Sequence, residues 1–161
     1  DTLVKDFSVD EILQVLAHEA GHWRHGDIRR LAFAGFAAAL VCFYLVSSVF
    51  AGIAESAGLA AASDVAGLPL LLLLFLAAGL ALLPFQNGYA RHLERAADLY
   101  ALRKVNQPAA FISMMEKLGR RNLADPAPPR WAEIFLYDHP PIAHRIAMAE
   151  RFQKEAAAGG I

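Results

Sequence analysis

Cysteine is almost missing from this chain: Cys42 stands alone among 161 residues. A single thiol inside an apolar run cannot close an intrachain disulfide, so no disulfide framework holds the fold. Basic blocks are missing as well. Lys and Arg total 15 against 16 Asp and Glu, a net charge of −1, and no basic run is interleaved with aromatics. Nucleic acid is therefore not an indicated partner. The chain opens on Asp1 rather than Met and shows no cleavable signal peptide, so a piece of a longer protein is expected. The most informative absence is charge. Leu31–Ile53 and Val65–Ala90 contain no Asp, Glu, Lys or Arg. Each exceeds the ~18–20 apolar residues that cross a hydrocarbon core. Hydrophobic residues make up 57% of the chain and mean hydropathy is +0.35, with the excess lying between residues 31 and 90. That points to a membrane rather than to a larger core.

Two transmembrane helices are thus predicted, about 31–53 and 67–89. Gly35 and the many alanines of the first suit close helix packing. The competing reading is a buried helical hairpin, or a hairpin packed on another membrane subunit. Arg24, Arg29 and Arg30 precede the first span, and Arg91, Arg95, Arg103 and Lys104 follow the second. The connecting segment 54–66 carries Glu55 and Asp64 and no Lys or Arg. The positive-inside rule then puts both outer ends in the cytoplasm. A hairpin returns the chain to the side it left, so residues after Ala90 can meet residues before Leu31.

What stands before Leu31 is His18-Glu19-Ala20-Gly21-His22, an H-E-x-x-H sequence. Ser8 and Glu11 have the spacing of a capping box, Phe7 and Ile12 that of a hydrophobic staple, and Gly26 offers a stop. A helix over 9–25 follows, with His18 and His22 on one face. Two imidazoles so placed can hold one Zn²⁺, with Glu19 in reach of a metal-bound water. The plain alternative is a chance occurrence with solvated histidines.

After the second span, Glu94 and Asp98 lie four apart in a helical pattern over 91–105. They read either as exposed acids pairing with Arg91 and Arg95, or as third metal ligand and hydrogen-bond acceptor for a ligand histidine. The upstream motif favours the second. A further helix is predicted over 108–121, with Phe111, Ile112, Met115 and Leu118 inward, then a proline-rich loop and a short turn or helix at Trp131–Tyr137. That element could wall a groove or anchor at a membrane interface. Pro140 and Pro141 open a last helix, about 140–156, with His139 just before it. His139 could donate to an oxyanion or serve as a structural cap. Arg145 could pair with Asp98 or Glu94, join His139 at an oxyanion, or simply face solvent. His25, His92 and His144 are given no role. Residues 2–5 could form a short edge strand.

Three motifs now stand in order: HEAGH at 18–22, R-x-x-E-x-x-x-D at 91–98, and HPP-x-x-x-R-I at 139–146. With a hairpin between the first two, the set resembles the integral-membrane zinc metalloproteases of the CAAX prenyl protease (type I) and HtpX-like family. The resemblance implies one zinc per chain on His18, His22 and Glu94, with Glu19 as base. It further implies that Asp98 supports a ligand and that His139 contacts substrate or oxyanion, with Arg145 beside them. It implies a mainly α, zincin-type domain over 1–161, interrupted by the hairpin, in the inner membrane with its site facing the cytoplasm. Its partners would be a protein or peptide substrate and the bilayer. Family members carry further spans ahead of the H-E-x-x-H helix. Two other functions share parts of this pattern: a signalling protease that cuts a cytoplasmic repressor, and a membrane scaffold with a structural metal.

Overall fold

The computed structural model describes residues 5–58, 64–123 and 125–159, and every regular element among them is helical. Helix α1 spans Val9–His25, α2 Asp27–Ser56, α3 Leu68–Val105, α4 Pro108–Arg121, α5 Arg130–Leu136 and α6 Ile142–Ala157. A short 3-10 turn at Val65–Gly67 leads into α3. The possible edge strand falls largely on residues 2–4, outside the described residues, and Lys5 is helical.

Helix α1 begins where its capping chemistry says it should. The Ser8 amide donates to Glu11 Oε2 at 2.7 Å and the Glu11 amide donates to Ser8 Oγ at 3.3 Å. Glu11 also reaches across to α4, accepting from Ser113 Oγ and Lys117 Nζ at 2.7 Å each. Burial pushes the Glu11 carboxyl up, but these hydrogen bonds and the Lys117 charge outweigh it and hold the group at about 2, against an ordinary 4.5. At the other end Gly26 takes the left-handed conformation, φ 69°, and donates to the carbonyls of His22 and Trp23. The chain turns there and α2 starts at once.

Two compact units result. The first is Asp1–Ile28 with Asn87–Ile161, and the second is Arg29–Gln86. In the first, Phe7, Leu102, Phe111, Met114, Met115, Ala149 and Phe152 form one buried cluster, with Ile12, Ile112, Leu118, Ile142 and Ile146 packed on it. Gln14, fully buried, spends its Nε2 on the Gln107 carbonyl at 3.0 Å, tying α1 to the α3–α4 junction. Met114 is as buried as its neighbours although the sequence pattern passed over it.

The second unit consists of most of α2 and the apolar part of α3. Both helices are long and apolar enough to cross a membrane, and only 6% of each apolar window is buried. The core helix of a soluble protein would be mostly covered. Phe33, Phe36, Leu72 and Leu76 instead face outward, and the Phe43 and Phe75 rings meet edge-on at 5.0 Å. Gly35, expected to permit close packing, faces open space.

The stretch read as separate helices at 67–89 and 91–105 is one helix, Leu68–Val105, with Pro84 inside it. Hydropathy changes at Arg91, but the backbone hydrogen-bond ladder is indifferent to what the side chains prefer.

Candidate metal centre

His18 and His22 sit one turn apart on α1 and turn their Nε2 atoms toward each other at 3.1 Å. The rings meet nearly perpendicular, centroids 4.6 Å apart. The far nitrogen of each ring is held by a carboxylate. His18 Nδ1 lies 2.9 Å from Asp98 Oδ1, and His22 Nδ1 lies 2.9 Å from Asp27 Oδ2. At His22 the contact is a hydrogen bond, and a carboxylate that accepts the Nδ1 N–H leaves the Nε2 lone pair aimed inward; at His18 it is an ion-pair contact. Glu94 closes the third side. Its Oε2 is 3.5 Å from His18 Nε2 and its Oε1 is 3.3 Å from His22 Nε2. His18, His22 and Glu94 form a group that could hold a metal ion, with all ligand atoms within 4.8 Å of one another.

The donor set fits a divalent cation. Two imidazole nitrogens 3.1 Å apart and a carboxylate converge, and Glu94 Oε2 is buried without a hydrogen-bond partner. Such a triangle of acceptors is costly unless positive charge sits within it. The electrostatics around His18 likewise favour positive charge there. Burial pushes its imidazolium down, but the hydrogen bonds and charges of Asp98 and Glu94 raise it from 6.5 to about 9. Burial likewise pushes Glu94 and Asp98 up, and their histidine and Arg145 neighbours bring both below the usual carboxylate range.

A glycine brings the two helices close enough. A Cβ on Gly21 would stand 3.1 Å from Ala97 Cα and 3.3 Å from Tyr100 Cβ, so α1 and α3 approach almost backbone to backbone. Ala97 itself is fully buried. Asp98, also fully buried, is fixed from behind by Arg145, whose Nε donates at 2.7 Å to Oδ2 while Nη2 donates to Oδ1. This is the forked geometry that guanidinium and carboxylate favour. Of the two partners considered for Arg145, Asp98 is the one it grips; Glu94 Oε2 is 4.0 Å away. The alternative pairing of Glu94 with Arg91 does not form. Arg91 is buried and gives Nη1 to the carbonyls of Glu133, at 2.6 Å, and Tyr137, at 2.5 Å.

His139 reaches the same place from the segment before α6. Its Nε2 is 3.3 Å from Glu94 Oε1, and its Nδ1 is 2.8 Å from Asp138 Oδ1. A cavity of about 160 Å³ opens here, lined by His18, Glu19, Glu94, His139 and Arg145 among others. Glu19 is exposed on its wall. Of the residues singled out in the sequence, His18, Glu19, Glu94, His139 and Arg145 line this cavity, while His22 and Asp98 stand next to His18.

Residues 1–153 match the sequence model of peptidase family M48. The chain belongs to that family. A Bacillus subtilis (strain 168) protein described as an uncharacterized metalloprotease, YhfN, is 31% identical over 156 residues. The match covers 94% of this chain and 36% of the relative, so the chain spans about a third of the length of that protein.

One residue of this M48 chain went unread in the sequence. Asp27 is 2% exposed and holds His22 as Asp98 holds His18. Five residues apart on a continuous helix, the two would point in different directions. The left-handed Gly26 breaks α1 and folds Asp27 back. An acid immediately after a glycine stop, at the head of an apolar helix, is the signal the sequence offers.

Proposed function

We propose that this chain is the catalytic part of an integral-membrane zinc endopeptidase that hydrolyses membrane-associated proteins or peptides on the cytoplasmic side. The observation that carries the reading is the convergence of His18 Nε2, His22 Nε2 and the Glu94 carboxylate, each histidine backed by its own buried acid. Three ligands rather than four suit a catalytic ion, which keeps one position open. When bound there, zinc supplies Lewis acidity toward water and the scissile carbonyl.

The chain's own residues account for the rest. Glu19, exposed on the cavity wall, accepts a proton from the attacking water and delivers it to the departing amine. His139, more than half exposed at the mouth and steadied by Asp138 at Nδ1, acts as the doubly protonated ring and donates its Nε2 N–H to the carbonyl oxygen as that atom gains charge. Asp98 and Asp27 hold the ligand rings in the tautomer with Nε2 unprotonated. Arg145 keeps Asp98 ionised and in place rather than reaching the substrate oxygen itself.

The membrane reading is supported by two helices of spanning length with outward-facing apolar side chains. The arginines flanking both and the acidic connection between them favour a cytoplasmic site. The finer likeness to type I CAAX prenyl proteases and HtpX-like enzymes rests on the three ordered motifs.

Metal content of the detergent-purified chain tests the proposal. About one zinc per chain is expected, sharply reduced in Glu94→Ala, while Glu19→Gln keeps zinc and loses peptide cleavage. Zinc binding indifferent to Glu94→Ala, or full cleavage by Glu19→Gln, overturns it.

A further inference from the structure

Helix α5 has an odd surface for seven residues. Ala132 is buried and Glu133 half-buried, but Trp131, Phe135 and Leu136 are 64%, 44% and 65% exposed. Its position is fixed by α3. Asn87 Nδ2 donates to the Phe135 carbonyl at 2.7 Å, and Arg91 grips the Glu133 and Tyr137 carbonyls. Those anchors straddle Ala90, where the charge-free run of α3 ends. So α5 lies against the point at which α3 passes from apolar to charged, with four large apolar side chains uncovered, Ile134 included.

A cleft of about 640 Å³ runs beside it, between α3, α5 and α6. Its floor includes Pro128 and Met148, and its rim carries Arg95, Arg130 and Arg151. All three arginines are exposed, and among the described residues none has a carboxylate partner. The one acid lining the cleft, Glu133, lies 3.7 Å from His144 instead. Arg95 stands one turn beyond Arg91 on α3, roughly 6 Å along the axis at 1.5 Å per residue. Unneutralised guanidinium groups around an apolar floor, one turn past the end of an apolar helix, match an anionic headgroup on an acyl body. Trp and aliphatic side chains at that level match the headgroup–acyl boundary.

We infer that α5 and this arginine-rimmed cleft form a docking site for anionic phospholipid of the bilayer, which seats the metal-bearing unit against the membrane surface. The inference rests on the membrane-spanning reading of α2 and α3 given above, and extends it to a lipid class and a contact surface.

The chain has two tryptophans, so Trp23→Phe leaves Trp131 as the single reporter. The full chain is reconstituted in vesicles with brominated phosphatidylglycerol or brominated phosphatidylcholine, and Trp131 quenching is read. Stronger quenching by the phosphatidylglycerol is expected. Its preference should fall about fivefold per arginine removed, in line with the attraction of one basic residue to an anionic surface. It should vanish in Arg95→Gln/Arg130→Gln/Arg151→Gln. Equal quenching by both lipids, or free access of acrylamide to Trp131 in vesicles, overturns the lipid site while the spans stand, provided the chain resists alkaline extraction. Release of the chain by alkali overturns the membrane reading itself, and this inference with it.

Discussion

Replacing Asp27 by Ser should weaken zinc binding by about one to two powers of ten. The carboxylate is 2% exposed and 2.9 Å from His22 Nδ1. A hydrogen bond to a charged partner in such surroundings contributes roughly 1.5–3 kcal/mol. At about 1.4 kcal/mol per tenfold, that is a factor of ten to somewhat over a hundred. Loss of an acid behind a metal-ligating histidine costs about 10–100-fold in affinity, so two routes give the same range. Serine keeps a small polar residue at the first position of α2 while the reach to His22 is lost. Zinc affinity is read by competition with a chromophoric chelator, beside the thermal midpoint of the metal-free chain. Asp27→Glu should recover part of the loss, because the charge returns with imperfect geometry. A serine variant that holds zinc within twofold of the parent, with an unchanged metal-free midpoint, would refute the assigned role.

Gly21→Val should separate α1 from α3, because even a bare Cβ there meets Ala97 Cα at 3.1 Å. Overpacking of this kind costs about 1–3 kcal/mol, and zinc affinity should drop more in Gly21→Val than in Gly21→Ala; equal affinities would contradict the close approach. Glu11 supplies the pH dependence. Its folded value of about 2 lies below the ordinary 4.5, so its contribution is complete above about pH 4.5 and fades as pH falls toward 2. At about 1.4 kcal/mol per unit that contribution is roughly 3 kcal/mol at most. The stability gap between the parent and Glu11→Gln, measured in detergent, should therefore narrow across that acid window. A gap that stays constant from pH 6 to pH 3 would disprove the assignment.

The helical architecture was legible because its signals are local. Ser8, Glu11 and Gly26 announce α1 by backbone chemistry that needs no partner, and the two charge-free runs announce themselves by length. The site was legible to the extent that ligand residues keep helical spacing: His18 with His22, Glu94 with Asp98. Asp27 escaped because its reach to His22 depends on a left-handed glycine that re-aims the chain. The division of α3 into two helices arose from treating a change in side-chain polarity as a change in backbone. Arg91 was read as a possible partner of Glu94, whereas it satisfies carbonyls at the end of α5. That pairing joins residues more than 40 apart in sequence and has no local signature.

The interruption of the metal-bearing unit by Arg29–Gln86 has a consequence for biosynthesis. His18, His22 and Asp27 are made before that detour, and Glu94, Asp98 and Arg145 after it. Neither half holds all three of His18, His22 and Glu94. A ribosome must complete both apolar segments, and the chain must come back from them, before the site can close. On the proposed reading metal capture is then a late event, and a chain stalled after only one apolar segment has no assembled centre with which to cut its neighbours.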